Sequence, residues 1–257
     1  MKLRYKLGLG LLGVLALSVI VIALVLRHES PCTEPPVAAA GQESMQAVVY
    51  TCYGGPEVLE LATLAKPAPA TNQVLVRVHA AAVNPLDWHY LRGEPYVMRL
   101  GAGLGTPKDI RLGVDFAGVV EAVGAGVTAF GPGDRVFGGR SGAFGEYVTI
   151  AADGPLVKMP AGLRFEQAAA VPIAALTALQ ALRDKGQLQP GQKVLVNGAS
   201  GGVGSFAVQL AKASGAEVTG VCSTRNLELV RALGADHVID YKKQSYVESG
   251  QRYDLVV

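Results

Sequence analysis

A strand, a glycine-rich turn and a helix follow one another without a break in Lys193-Val194-Leu195-Val196-Asn197-Gly198-Ala199-Ser200-Gly201-Gly202-Val203-Gly204. The apolar run Lys193–Val196 ends in glycines and passes directly into the helical periodicity of Val203–Ser214. The alternation then repeats, with a strand at Glu217–Val221, a helix at Leu227–Leu233, a strand at His237–Ile239 and a last apolar run from Asp254 to Val257. Alternating strands and helices specify a parallel, doubly wound α/β sheet. Such a sheet usually has about six strands. Only four are legible here, so the chain is expected to stop inside its second domain.

Upstream the punctuation is different. Short strands are expected at Ala47–Thr51, Gln73–Val83, Val114–Val123 and Tyr147–Ala151. They are separated by turns such as Gly54-Gly55-Pro56 and Gly131-Pro132-Gly133-Asp134. This pattern points to a β-rich, barrel-like domain. Gln167–Lys185 reads as helical, with a break at Pro172. The 32 glycines show no three-residue period, which excludes a collagen-like chain. Lys2, Arg4 and Lys6 are three of the 23 basic residues, and the rest nearly balance the 21 acidic ones. A near-neutral body argues against a nucleic-acid partner. Three cysteines, Cys32, Cys52 and Cys222, cannot build a disulfide framework, and no two have the C-x-x-C spacing of a structural zinc.

Leu7 to Leu26 carries no charge. Its length matches the roughly 30 Å core of a bilayer. It exceeds the apolar region of a cleaved signal, and Arg27, His28 and Glu29 follow it in place of small residues. Residues 1–26 are therefore expected to form an uncleaved single-pass anchor that meets the membrane through residues 7–26. The basic residues before it place the amino terminus in the cytoplasm and the body outside. Residues 27–44, with Pro31, Pro35 and Pro36, read as a linker.

The glycine turn admits two chemistries. Ala199-x-Gly201-x-x-Gly204 is the dinucleotide fingerprint with alanine in its first place. In that reading Ser200, Gly201, Gly202, Val203 and Gly204 let a pyrophosphate approach the backbone at a helix amino terminus. Gly198-x-Ser200-x-Gly202 also spells a nucleophile elbow, with Ser200 as a hydrolase nucleophile. An elbow needs an acid and then a histidine downstream; Asp236 does precede His237, but the two are adjacent, and the remaining chain offers no other histidine. The elbow also has no use for Gly201 and Gly204 at dinucleotide spacing, so the context favours the cofactor. The second strand ends in Val221-Cys222-Ser223-Thr224-Arg225, with no carboxylate for a ribose hydroxyl. A hydroxyl and a guanidinium suit a 2′-phosphate, so the cofactor is expected to be NADPH. An outside body would lie where NADPH is scarce, which leaves the side of the body open.

Six segments occur in one family order. They are Tyr53-Gly54-Gly55-Pro56-Glu57-Val58-Leu59, Val83-Asn84-Pro85-Leu86-Asp87, Gly113-Val114-Asp115-Phe116-Ala117-Gly118, Gly133-Asp134-Arg135-Val136, Leu176-Thr177-Ala178 and the glycine turn. With them the sequence resembles the zinc-free quinone oxidoreductase (zeta-crystallin-like) branch of the medium-chain dehydrogenase/reductase superfamily. The resemblance implies a GroES-like β-barrel domain over 45–165 and an NADP-binding Rossmann domain over 166–257, with an active site in the cleft between them. It also implies hydride transfer from NADPH to a quinone or enone, and sheet-edge homodimers. Ser223, Arg225 and Tyr241 would surround the 2′-phosphate, and Asn84 and Thr177 would lie near the nicotinamide. Zinc-dependent relatives have Cys at the position of Asn84 and Gly-His-Glu at Gly113-Val114-Asp115, so no metal is expected. Asn84, His89 and Tyr90 are the available hydrogen-bond donors, and His89 stands where relatives often have tyrosine. A non-catalytic nucleotide-binding scaffold on the same fold is the alternative.

Overall fold

The computed structural model describes residues 16–248 and 250–257. The chain divides into two compact units between Ala169 and Ala170. In the first unit, β1 (Ser44–Val49) pairs antiparallel with β2 (Glu60–Ala65). A five-stranded antiparallel sheet follows, in the order β6 (Tyr147–Ala151), β3 (Gln73–Ala82), β4 (Asp115–Val123), β5 (Arg135–Gly139) and β7 (Leu156–Lys158). Val74 and Val76 of β3 pack with Phe116, Val120, Val136, Val148 and Ile150, because alternate side chains share one face of a strand. The β3–β4 register slips between Val78 and Ala80, and the skipped His79 stacks on Phe165 with ring centroids 4.5 Å apart. His79 is thus held by packing, as a strand residue at a bulge.

Asn84-Pro85 ends β3 and starts α2 (Pro85–Arg92). Proline suits the first helical position because its missing N–H has no helical acceptor there. Gly93 closes α2 with φ 59°, a left-handed conformation that favours glycine. The short α3 (Arg99–Ala102) and α4 (Phe165–Ala169) complete the regular helices after β1 in this unit.

The second unit carries a parallel sheet ordered β10 (His237–Asp240), β9 (Glu217–Cys222), β8 (Lys193–Asn197) and β11 (Leu255–Val256). The helices are α5 (Pro172–Leu179), continued by a π turn over Gln180–Lys185, then α6 (Gly202–Ala213) and α7 (Leu227–Ala232). Helix α6 turns Gly204, Ala207, Val208 and Ala211 into the core, which they share with Val194, Val196, Val218 and Val230. That three-and-four spacing gives a helix one apolar stripe.

Two expectations about the amino-terminal region change. The membrane anchor over 7–26, its membrane contact and the single-pass localisation are corrected: among the described residues no helix is long and apolar enough to cross a membrane. The described part of the first helix, α1, covers 16–27. Residues 1–15, which hold the start of the expected span, lie outside the described residues. The second change concerns cysteine. Cys32 and Cys52 form a disulfide across 20 residues, whereas Cys222 is free and buried. One long-range pair leaves no spacing signal in a sequence.

Candidate functional site

In the second unit, β8 runs into Gly198, whose φ of 72° suits glycine, and Gly201 N-caps α6. The Gly201 N–H donates to Gly198 O at 2.9 Å, closing the turn. The N–H groups of Gly202, Val203 and Gly204 have no acceptor among the described residues. Three free donors at the positive end of a twelve-residue helix can hold an anion. Gly204 is needed for packing: a Cβ there would stand 2.2 Å from Gly198 O and 2.8 Å from Ala199 Cα.

The end of β9 closes over this turn. Asn226 Nδ2 donates to Ser200 Oγ at 2.9 Å and to Ser223 Oγ at 3.3 Å. Ser200 of the glycine turn and Ser223 at the end of β9 therefore meet through one amide, which no motif in the sequence marks. Its signal was position: Asn226 follows Arg225 at the start of a helix. Arg225 is exposed and makes no ion pair among the described residues, and Tyr241 is also exposed. A carboxylate does sit nearby, because Asp240 of β10 pairs in register with Cys222. It is already engaged, accepting from Thr224 Oγ1 at 2.6 Å and from Lys242 N at 3.0 Å. The Thr224 hydroxyl is the main reason its carboxyl is held below the usual range. Thr177 lies on an exposed face of α5.

Among the described residues of this unit the elbow reading finds no triad. His237 pairs with Glu217 at 3.2 Å, and Asp236 accepts from Lys212 at 2.7 Å and from Val218 N at 2.7 Å. Ser200 Oγ receives its hydrogen bond from the Asn226 amide.

In the first unit, the Asn84 N–H donates to Asp87 Oδ2 at 2.7 Å. Asn84 Nδ2 donates to Asp115 Oδ2 at 3.2 Å and to Ala82 O at 3.3 Å. A carboxylate and a carbonyl both accept, so the nitrogen must face them, and the same side chain forms a capping box with Asp87 at the start of α2. Burial, aided by the neighbouring Asp115, pushes the Asp87 carboxyl up. His89 Nδ1 lies 2.6 Å from Glu94 O, which can only accept, so Nδ1 carries a hydrogen and donates it there. Of the three expected donors, Asn84 and His89 thus turn their hydrogens inward.

Tyr90 differs from both. It lines a cavity of about 340 Å³ together with Tyr50, Met98, Lys108, Asp109 and Arg111. Burial, with Tyr53 and Asp109 nearby, raises Tyr50 far above an ordinary phenol and keeps it a neutral donor. Burial would raise Asp109 as well, but the Arg111 guanidinium, 3.1 Å away, reverses this and holds it ionised. The cavity therefore has aromatic walls, a neutralised ion pair and one lysine. Among the described residues no three His, Cys, Asp or Glu side chains group as metal ligands.

Comparison with known proteins agrees with both units. Residues 70–161 match the family described as "Alcohol dehydrogenase GroES-like domain", and residues 202–253 match "Zinc-binding dehydrogenase". The quinone oxidoreductase of Coxiella burnetii superposes with a TM-score of 0.75 at 34% identity, covering 84% of this chain and 68% of that one. The chain belongs to the medium-chain dehydrogenase/reductase superfamily. Within that superfamily it is 41% identical to the human quinone oxidoreductase over 219 residues, 84% of this chain and 64% of the relative. A chloroplast envelope quinone oxidoreductase homolog from Arabidopsis thaliana is 39% identical over 229 residues, covering 83% of this chain and 67% of that one. The Escherichia coli quinone oxidoreductase, solved as a complex with NADPH, superposes with a TM-score of 0.69 at 32% identity, covering 79% of this chain and 60% of that one. The chain thus spans about two-thirds of the length of the relatives it matches.

Proposed function

We propose that this superfamily member is an NADPH-dependent oxidoreductase that delivers hydride to a quinone, an enone or a related carbonyl compound without zinc. The observation that carries the reading is the triad of free N–H groups at Gly202, Val203 and Gly204 beside the Ser200–Asn226–Ser223 cluster. The N–H groups would hold the pyrophosphate, while Ser223, Arg225 and Tyr241 would receive the 2′-phosphate. Bound NADPH supplies the hydride from C4 of its nicotinamide. By the family resemblance, Thr177 and Asn84 are the residues that would stand near the nicotinamide. Tyr90 donates its hydroxyl hydrogen toward the acceptor oxygen, where negative charge develops.

The donor set explains the choice of acceptor. Asn84 turns its amide hydrogens to Asp115 and Ala82, and Val114-Asp115 offers no imidazole, so no Lewis acid is built in at these positions. A simple ketone would need one to stabilise its alkoxide. A quinone or enone delocalises the charge onto an oxygen that a hydrogen bond can hold. A homodimer through a sheet edge belongs to the same reading and rests on the family resemblance alone.

The test is a thermal melt of the full chain with NADPH, with NADH and with neither. At a hundred times Kd, a ligand that binds only the native state adds about 2.7 kcal/mol. NADPH is expected to raise the melting temperature more than NADH, and Arg225→Ala to remove the difference. Equal shifts in the wild type would overturn the 2′-phosphate assignment.

A further inference from the structure

We infer that Arg99 is a positioning residue for the Tyr90 cavity, clamped by residues 26–33, and that the Cys32–Cys52 disulfide latches the clamp. The inference rests on the reading of that cavity as the acceptor site. Arg99 is fully buried, and Met98, Gly101 and Ala102 of the cavity wall flank it in sequence. Its donors are all used. Nε donates to Gly93 O at 2.9 Å, Nη1 to Leu26 O at 3.2 Å and His28 O at 3.1 Å, and Nη2 to Glu29 Oε1 at 2.8 Å and Arg92 O at 3.1 Å. Three of those acceptors come from the segment that precedes the GroES-like fold. The guanidinium carbon also lies 4.3 Å from the ring centre of Tyr53 and 4.8 Å from that of Tyr96.

The amino-terminal segment grips the same loop again beyond Arg99. Ser30 N donates to Gly105 O at 3.0 Å, while Tyr53 Oη donates to Gly103 O at 2.7 Å. Thr33 N donates to Thr51 Oγ1 at 3.1 Å, and Thr51 Oγ1 donates back to Thr33 O at 2.6 Å. Cys52 stands between Thr51 and Tyr53, so the disulfide ties the segment to the ring that supports both Arg99 and Gly103. If the segment lifts, a buried guanidinium loses three of its acceptors. An unpaired buried charge is costly enough that the Met98–Ala102 wall must rearrange to resolvate it. Cys32 is exposed and open to a reductant.

Two measurements on the full chain test this. In the first, a dithiol such as dithiothreitol transfers two electrons and two protons to the disulfide, leaving thiols at Cys32 and Cys52 and a cyclic disulfide on the reagent. Hydrogen exchange at residues 26–33 and 93–105 is then compared between the oxidised and reduced chains. In the second, NADPH turnover with 9,10-phenanthrenequinone, which has no free quinone-ring position for thiol addition, is compared between wild type, Cys32→Ser/Cys52→Ser and Glu29→Ala. The expected results are faster exchange in both segments and a rise of about tenfold in KM for the quinone in the double variant, since an ångström of wall movement is enough to misplace a substrate. Glu29→Ala should show a smaller rise in KM, and kcat and the NADPH-induced melting shift should hold. Unchanged exchange at 93–105 in fully reduced chain, or an unchanged KM in both variants, would overturn the clamp. Absence of wild-type turnover would instead overturn the acceptor reading, and the exchange result would then decide the clamp alone.

Discussion

Gly204→Ala and Gly201→Ala should separate the two physical demands on the glycine turn. At Gly204 an added Cβ would lie 2.2 Å from Gly198 O and 2.8 Å from both Gly198 C and Ala199 Cα, all backbone atoms that cannot swing away. Restoring ordinary contact requires α6 to move off the end of β8 by about an ångström, an overpacking error that costs about 3 kcal/mol. For a unit of this size that is a fall in melting temperature on the order of 15 °C. At Gly201 an added Cβ meets only Gly198 O, at 3.2 Å, which a shift of a few tenths of an ångström relieves. Its stability cost should stay below about 1 kcal/mol. Yet the same methyl intrudes where the backbone must approach the pyrophosphate, so the NADPH-induced melting shift should be lost. The assay is a calorimetric melt of the full chain, with and without NADPH. A Gly204→Ala transition within about 3 °C of wild type would refute the packing argument, because that shift is under 1 kcal/mol. A Gly201→Ala chain that keeps its full NADPH shift would refute the pyrophosphate assignment.

Other outcomes follow from single contacts. Tyr90→Phe should lower kcat with 9,10-phenanthrenequinone by about 10²-fold and leave NADPH binding intact, as expected of a lost transition-state donor. Asn226→Ala frees Ser200 and Ser223 at once, so it should weaken NADPH binding by about tenfold, as measured by titration, without a change in the apo melt larger than about 1.5 kcal/mol. Burial pushes the Asp236 carboxyl up, but the Lys212 ammonium and the Val218 N–H outweigh it and hold the group below its ordinary 3.8. Its stabilisation is therefore complete above that value and is lost as pH falls through the lowered one. Asp236→Asn should melt below wild type at pH 7, and a pH series should show the gap closing below about pH 4.

Much of the second unit was legible because its periodicities are strong. β8, β9 and β10 lie within a residue of their expected bounds, and α6 begins at Gly202 against an expected Val203. Helix α2 was not expected, although Asn84-Pro85 carries a start signal, because proline at the first helical position opens a helix. β2 was missed because Glu60–Ala65 is short and half-exposed. In the site, the glycine spacing located the turn. Local sequence could not show that Asn226 joins Ser200 to Ser223, or that Asn84 and His89 point their hydrogens inward, because those are tertiary hydrogen bonds. The amino-terminal clamp was hidden for the same reason. Leu26, His28 and Glu29 read as the flank of an apolar run, and only the fold brings Arg99 to them.

The most direct measurement is the loss of reduced-nicotinamide absorbance when the full chain is mixed with 9,10-phenanthrenequinone and either NADPH or NADH. Consumption of NADPH in proportion to quinone reduced, at a rate well above that with NADH, is the predicted result. A chain that binds NADPH but consumes none with this quinone or with an enone panel would contradict the account and leave a nucleotide-binding scaffold in its place.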